Sequence, residues 1–115
     1  MKSNIISAHV TPQPAERLYT VLRALPAGYV LTYKQAGQLA GINSPRQVGC
    51  LLHQNPDPVN IPCHRVVNAR GELAEKFAFG GRAGQAALLE ADGISTDGHR
   101  VNLKIHRWPV EIIQG

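Results

Sequence analysis

Residues 32 to 53 read TYKQAGQLAGINSPRQVGCLLH and contain the clearest helix signals of the chain. Thr32, followed three residues later by Gln35, forms a capping box and predicts a helix that begins directly after Thr32. Gly41 is typical of a helix end. Ser44 as N-cap and Pro45 at the first helical position predict a second helix. Two short helices joined by a tight turn with glycine indicate a helix-turn-helix.

The second helix of such a pair reads DNA with its first residues. Here these residues are Ser44, Arg46 and Gln47, which are polar or basic. Short helix pairs also occur in many folds without DNA, and an exposed arginine is usually a solvated surface charge. A sequence-specific transcription factor is a further alternative, and it would require a dimer and a palindromic site.

The N-terminal part of the chain predicts one more helix. Residues 1–13 are expected to form a loose lead-in. Pro14 suits a first helical position, and apolar residues recur at helical spacing up to the Pro26–Gly28 stop. The helix would pack through Leu18, Val21, Leu22 and Leu25.

The C-terminal half predicts small β elements around one long helix. Three prolines within residues 54–62 favour an extended loop. The turn Asn68–Gly71 predicts a hairpin that runs from Val66 to Leu73. The last helix is expected to end at Gly93 and to pack through Ala87, Leu88 and Ala91. The alternation of Val101, Leu103 and Ile105 predicts a strand, so the fold class is mainly α with small β elements.

Composition limits the function classes. The 115 residues suit a single domain, 1–115, with 43% apolar residues and a net charge of +4. No apolar run approaches the roughly 18 residues of a membrane span, and no secretion signal is recognised. Two cysteines are too few for a disulfide scaffold. We therefore expect a cytoplasmic protein with reduced thiols, and basicity that leaves nucleic acid open as a partner.

The residues with chemical potential centre on Cys63. His64 and Arg65 follow it directly and would lower the pKa of its thiol if the turn folds them back. Asp92 is a plausible carboxylate to orient His64. The alternative is a buried structural cysteine beside a surface histidine, and Cys50 is interpreted as structural. The other histidines show no metal-ligand spacing, so no metal is expected.

Residues 61–67, IPCHRVV, resemble the active-site motif of the O6-alkylguanine-DNA alkyltransferases. Residues 29–35 and 40–41 look like the first helix-turn-helix element of that family, and residues 45–49 look like the start of its recognition helix. Asn55-Pro56 resembles its Asn-Pro hinge, and residues 88–93 resemble the end of its last helix. The resemblance covers roughly residues 15 to 109.

The resemblance implies a winged helix-turn-helix-like DNA-binding domain that approaches double-stranded DNA from the minor groove. Tyr33 would rotate the target phosphate, and Arg46 would fill the space that the flipped O6-alkylguanine leaves. No cofactor is needed. The implied catalytic residues are Cys63, His64, Asp92 and Asn55; the implied DNA contacts are Thr32, Tyr33, Ser44, Arg46, Gln47 and Arg65; the implied lesion pocket is formed by Pro62, Cys63, Val66 and Lys76.

Two departures from the enzymes shape the functional prediction. The chain starts almost at the DNA-binding domain, so no N-terminal alkyltransferase domain is expected; this resembles the alkyltransferase-like proteins, which bind the lesion without repairing it and pass it to nucleotide excision repair. Asp92 replaces the glutamate of the enzymes, and a carboxylate displaced by about 1 Å costs roughly 100-fold in rate. Those proteins usually lack the cysteine that this chain keeps. The first prediction is therefore a monomeric lesion-binding protein of the cytoplasm, or of the nucleoid in a bacterium, and the alternative is a single-turnover alkyltransferase that uses Cys63.

Overall fold

The computed structural model describes residues 13–110. It is mainly helical, as the sequence predicts. The elements, in chain order, are α1 (Pro14–Ala24), β1 (Leu31–Thr32), α2 (Tyr33–Ala40), α3 (Pro45–His53), a 3-10 turn (Cys63–Arg65), β2 (Val66–Val67), α4 (Gly81–Ala91) and α5 (Leu103–His106). The predicted lead-in lies outside the described residues, except for its last residue.

The helix pair α2–α3 forms where the local signals predict it. The Thr32 side chain accepts a hydrogen bond from the Gln35 amide at 3.1 Å, and the Gln35 side chain accepts one from the Thr32 amide at 3.1 Å. Ser44 caps α3 by accepting from the Gln47 amide at 3.2 Å. The turn between the helices approaches α2 so closely that a Cβ on Gly37 would lie 2.7 Å from the Ile42 carbonyl oxygen. The helix pair is therefore fixed by its own caps and by a glycine at which any Cβ would force the turn backbone to shift.

The predicted hairpin is wrong. Asn68 does build the turn, since its Oδ1 accepts from the amides of Arg70 and Glu72. β2, however, pairs in parallel with β1, with Leu31 opposite Val66, and Glu72 forms its bridge with Arg100. The parallel pairing brings the segment after Cys63 against the start of α2.

The predicted strand from residue 101 to residue 105 is also wrong. Asn102 caps α5 by accepting a hydrogen bond from the Lys104 amide at 3.0 Å, and the chain turns into a short helix. Side-chain capping by asparagine competes with extended structure, so apolar alternation alone misassigned this segment.

The last helix, α4, forms as predicted but packs through another face. Its buried residues are Gln85, Ala86 and Leu89, whereas Ala87, Leu88 and Ala91 face solvent. Leu89 joins a core cluster beneath β2, and a second cluster lies among α1, α2 and α3. The 3-10 turn with Cys63 lies between α4 and the helix pair.

Candidate lesion-binding site

The Cys63 segment is held in place by Asn55. The Asn55 amide group is buried and donates to the Ile61 carbonyl at 2.7 Å, while its oxygen accepts from the Asp57 amide at 2.9 Å. The Cys63 amide donates to the same Ile61 carbonyl at 2.7 Å. Asn55 therefore shapes the proline-rich loop and sets where Cys63 enters its turn.

The Cys63 side chain is buried, with 4% of the residue exposed. Burial raises the pKa of its thiol, and a hydrogen bond from Asn55 offsets this only in part. The expectation that His64 and Arg65 would lower this pKa is wrong, because both side chains turn to Asp92 instead. At neutral pH the thiol is protonated.

Asp92 reaches His64 despite its short side chain. The His64 Nε2 and Asp92 Oδ2 atoms are 2.5 Å apart, and Arg65 Nε donates to the same oxygen at 3.0 Å. Burial acts to raise the pKa of Asp92, but the hydrogen bonds from His64 and Arg65 outweigh it and hold that pKa below its ordinary value. Burial lowers the pKa of His64, although Asp92 opposes the shift. A neutral His64 that donates from Nε2 keeps its Nδ1 lone pair free to accept a proton.

Beside Cys63 lies a cavity of about 110 Å³. One wall comes from α3, and the facing wall comes from residues 74–80, which we call the pocket loop. Of the predicted pocket residues, Cys63, Val66 and Lys76 line the cavity, whereas Pro62 is buried and does not. The lining residues are Tyr33, Gly49, Leu52, His53, Cys63, Val66, Ala74, Lys76, Phe77, Ala78 and Gln85.

The predicted DNA contacts differ in how exposed their side chains are and in the hydrogen bonds that they make within the protein. Arg46 and Gln47 are exposed at the start of α3. Thr32 and Ser44 use their hydroxyl groups as helix caps. Arg65 is directed inward, and its Nη1 donates to the carbonyls of Leu25 and Pro26 at 3.1 and 3.2 Å.

Tyr33 stands apart, because it begins α2 and lines the cavity. Burial and the nearby Cys63 raise the pKa of Tyr33, so its hydroxyl remains a donor at neutral pH. Cys50 is exposed on α3, which does not fit its interpretation as a structural cysteine.

Two residues of the site had no recognised signal in the sequence. Gln85 is 1% exposed; its Oε1 accepts from the Ala74 amide at 2.7 Å, and its Nε2 donates to the carbonyls of His64 and Val66. His53 lies within hydrogen-bond distance of the Lys76 carbonyl. A polar residue at a helical position among small apolar neighbours is the signal that could have marked Gln85 as buried.

Comparison with known proteins defines the class. The family described as "6-O-methylguanine DNA methyltransferase, DNA binding domain" matches residues 13–94. The chain therefore belongs to this family.

The relatives that match most of the chain include a base-flipping protein and an alkyltransferase-like protein. A DNA base-flipping protein of Escherichia coli K12 is 36% identical over 94 residues, which are 81% of this chain and 72% of that protein. Alkyltransferase-like protein 1 of Schizosaccharomyces pombe is 30% identical over 99 residues, and the match covers 80% of this chain and 91% of that protein. Methylated-DNA–protein-cysteine methyltransferases match over less of their own length, for example 45% of the protein from Methanothermobacter thermautotrophicus at 38% identity.

Solved structures agree with this assignment. Schizosaccharomyces pombe Atl1, crystallised with damaged DNA containing O6-carboxymethylguanine, superposes with a TM-score of 0.73 at 26% identity, covering 84% of this chain and 95% of that one. The O6-methylguanine methyltransferase of Mycobacterium tuberculosis superposes with a TM-score of 0.62 at 30% identity, and the match covers 72% of this chain and 50% of that one. No helix within residues 13–110 is long and apolar enough to cross a membrane.

Proposed function

We propose that this protein binds O6-alkylguanine in double-stranded DNA by flipping the nucleotide into the cavity beside Cys63, and that it marks the lesion for nucleotide excision repair. The observation that carries the proposal is the cavity itself, which opens between α3 and the pocket loop. Arg46 is exposed at the start of α3, and Tyr33 stands on the cavity wall. We also propose that Thr32, Ser44 and Gln47 contact the DNA. We propose that the protein acts as a monomer through a single domain.

The lining of the cavity suits an extruded base. Leu52, Val66 and Phe77 supply apolar surface for the flat faces of a purine, while Tyr33 and Lys76 supply donors. A lysine over a purine face adds a cation–π attraction of about 0.5–2 kcal/mol. A pocket of this kind repays part of the few kcal/mol that unstacking costs.

The comparisons support base flipping and lesion recognition. One relative carries the name DNA base-flipping protein, and one structural neighbour is bound to DNA with O6-carboxymethylguanine. The step to nucleotide excision repair rests on the resemblance to the alkyltransferase-like proteins. We place recognition ahead of chemistry because burial keeps the Cys63 thiol protonated.

The second candidate function is a single-turnover alkyl transfer to Cys63. The observation that favours it is the 2.5 Å contact between His64 and Asp92, which orients His64 as a base. His64 directly follows Cys63 in the sequence. In this reaction a bond forms between Cys63 Sγ and the alkyl carbon, and the bond between that carbon and O6 breaks. The electron pair of the broken bond stays on guanine, and the thiol proton passes first to His64 and then from His64 to guanine. The products are an S-alkylcysteine and unmodified guanine.

Intact-protein mass spectrometry, combined with binding assays, separates the candidates. The protein and its Cys63→Ala variant are incubated with a duplex that contains O6-methylguanine, and binding is compared with an undamaged duplex of the same sequence. We expect tight, lesion-selective binding by both proteins and no mass gain during the first hours. A methyl gain that the variant lacks would instead establish the transferase. Binding that depends on flanking sequence and ignores the lesion would contradict both candidates and favour the transcription factor.

A further inference from the structure

Residues with different exposure line the cavity beside Cys63, and this defines its floor and its rim. Cys63, Val66 and Gln85 are buried and form the floor. His53 and Lys76 are exposed and line the same cavity, so they lie at the rim where a base would enter. His53 is the last residue of α3, and Lys76 belongs to the pocket loop.

A hydrogen bond crosses this rim. The His53 Nε2 and the Lys76 carbonyl oxygen are 3.0 Å apart. Because a carbonyl only accepts, His53 must donate through Nε2–H.

The pocket loop has further attachments at its two ends and at Phe77. Gln85 Oε1 holds the Ala74 amide at 2.7 Å, and the Gly81 amide donates to the Phe77 carbonyl at 2.9 Å. The Phe77 ring packs against the core and meets Phe79 edge-on. Among the described residues, the hydrogen bond found between α3 and the Lys76 segment is therefore the one from His53.

We propose that His53 latches the pocket loop to α3 and thereby limits the size of the O6 substituent that the cavity admits. The proposal rests on the function proposed above. With the bond made, the walls stay at their observed spacing and suit a small group. With the bond lost, the segment around Lys76 can swing outward, while Gln85 keeps the base of the loop in place.

The experiment measures size selectivity. Three duplexes are compared, with guanine, O6-methylguanine or O6-benzylguanine at one position. Their dissociation constants are measured by fluorescence anisotropy for the wild type and for three variants, His53→Ala, His53→Gln and Gln54→Ala. We expect His53→Ala to reduce the ratio of the benzyl to the methyl dissociation constant by about three- to tenfold, the range that one net hydrogen bond supplies. Glutamine keeps an N–H donor and should retain most of the ratio. Gln54 is exposed and does not line the cavity, so its variant should match wild type.

A second readout does not depend on the lesion. Hydrogen exchange of the amides in the pocket loop should accelerate in His53→Ala and not in Gln54→Ala, with urea unfolding confirming that both variants fold. If His53→Ala keeps the ratio of the benzyl to the methyl dissociation constant within twofold of wild type, or leaves hydrogen exchange in the pocket loop unchanged, the proposed role of His53 is wrong. The proposed lesion binding is not affected by either result. A wild-type protein that binds all three duplexes equally overturns the proposed function, whatever the exchange data show.

Discussion

Replacing Gln85 by leucine removes the side chain that joins the pocket loop to the Cys63 segment. Gln85 makes three hydrogen bonds to backbone groups, namely the Ala74 amide at 2.7 Å and the carbonyls of His64 and Val66 at 3.0 and 3.2 Å. Leucine has a similar volume but neither donates nor accepts. The substitution therefore tests these bonds without opening a large cavity.

The expected cost follows from which backbone groups lose their partner. A buried polar group without a hydrogen bond costs about 1–3 kcal/mol. His64 and Val66 are buried, so water does not replace the bond to their carbonyls, whereas Ala74 is half-buried and recovers part of its loss from solvent. Burying leucine in place of an amide returns about 1 kcal/mol. We expect a net loss of about 2–4 kcal/mol, which is a large fraction of the stability of a small domain.

The assay is equilibrium urea unfolding, evaluated by linear extrapolation. Gln38→Leu is the matched control, since Gln38 is exposed on α2 and its substitution should change the free energy of unfolding by no more than about 0.5 kcal/mol. A loss below about 1 kcal/mol for Gln85→Leu, with an unchanged urea slope, would show that these three hydrogen bonds contribute little to stability. The backbone groups would then have found other partners, and Gln85 would not be the link between the loop and the turn.

Three further predictions concern charge and reactivity. In the folded state the pKa of His64 lies below its ordinary value of 6.5, so the unfolded chain binds more protons than the folded chain as the pH falls below that value. The free energy of unfolding should therefore decline with falling pH in this range. His64→Gln should flatten this decline when the free energy of unfolding is measured by urea titration at each pH. Iodoacetamide at neutral pH should modify the exposed Cys50 at least about tenfold faster than the buried Cys63, and peptide mass mapping would contradict this if the two rates were equal. Arg46→Ala should weaken binding to an O6-methylguanine duplex by about tenfold or more through lost stacking and should reduce the preference over guanine. Arg100→Ala, an equal loss of charge, should leave that preference unchanged in the same anisotropy assay.

The parts of the fold that sequence predicted are those with local causes. A capping box, a serine–proline pair and a glycine stop are all decided within four residues, and α2 begins and ends, and α3 begins, where these signals predict. The wrong predictions concern segments whose structure depends on distant residues or on two competing local signals. Nothing in Val66-Val67 indicates that it pairs in parallel with a segment 35 residues earlier. In residues 101–105 one capping asparagine outweighed an alternating pattern.

The site divides in the same way. Cys63, His64 and Asp92 were identified first from the chemistry of their side chains and then through a family motif, and the structure brings the histidine and the carboxylate together. The hydrogen bonds of Gln85 and His53 were not predicted, because their partners are backbone carbonyls and amides, which residue types do not reveal. Hydrogen bonds to main-chain groups depend on where the chain folds back, and that information lies outside any local pattern.

The arrangement around Asp92 explains why the choice between recognition and transfer is a question of protonation. The distance between His64 and Asp92 removes the argument that an aspartate is too short. Its Oδ2 atom, however, also accepts from Arg65, which neutralises part of the charge that would stabilise a protonated His64. Burial favours neutral His64 and a protonated Cys63 thiol. The proposed lesion binding requires only this resting state, whereas the alternative alkyl transfer additionally requires the thiol proton to leave Cys63.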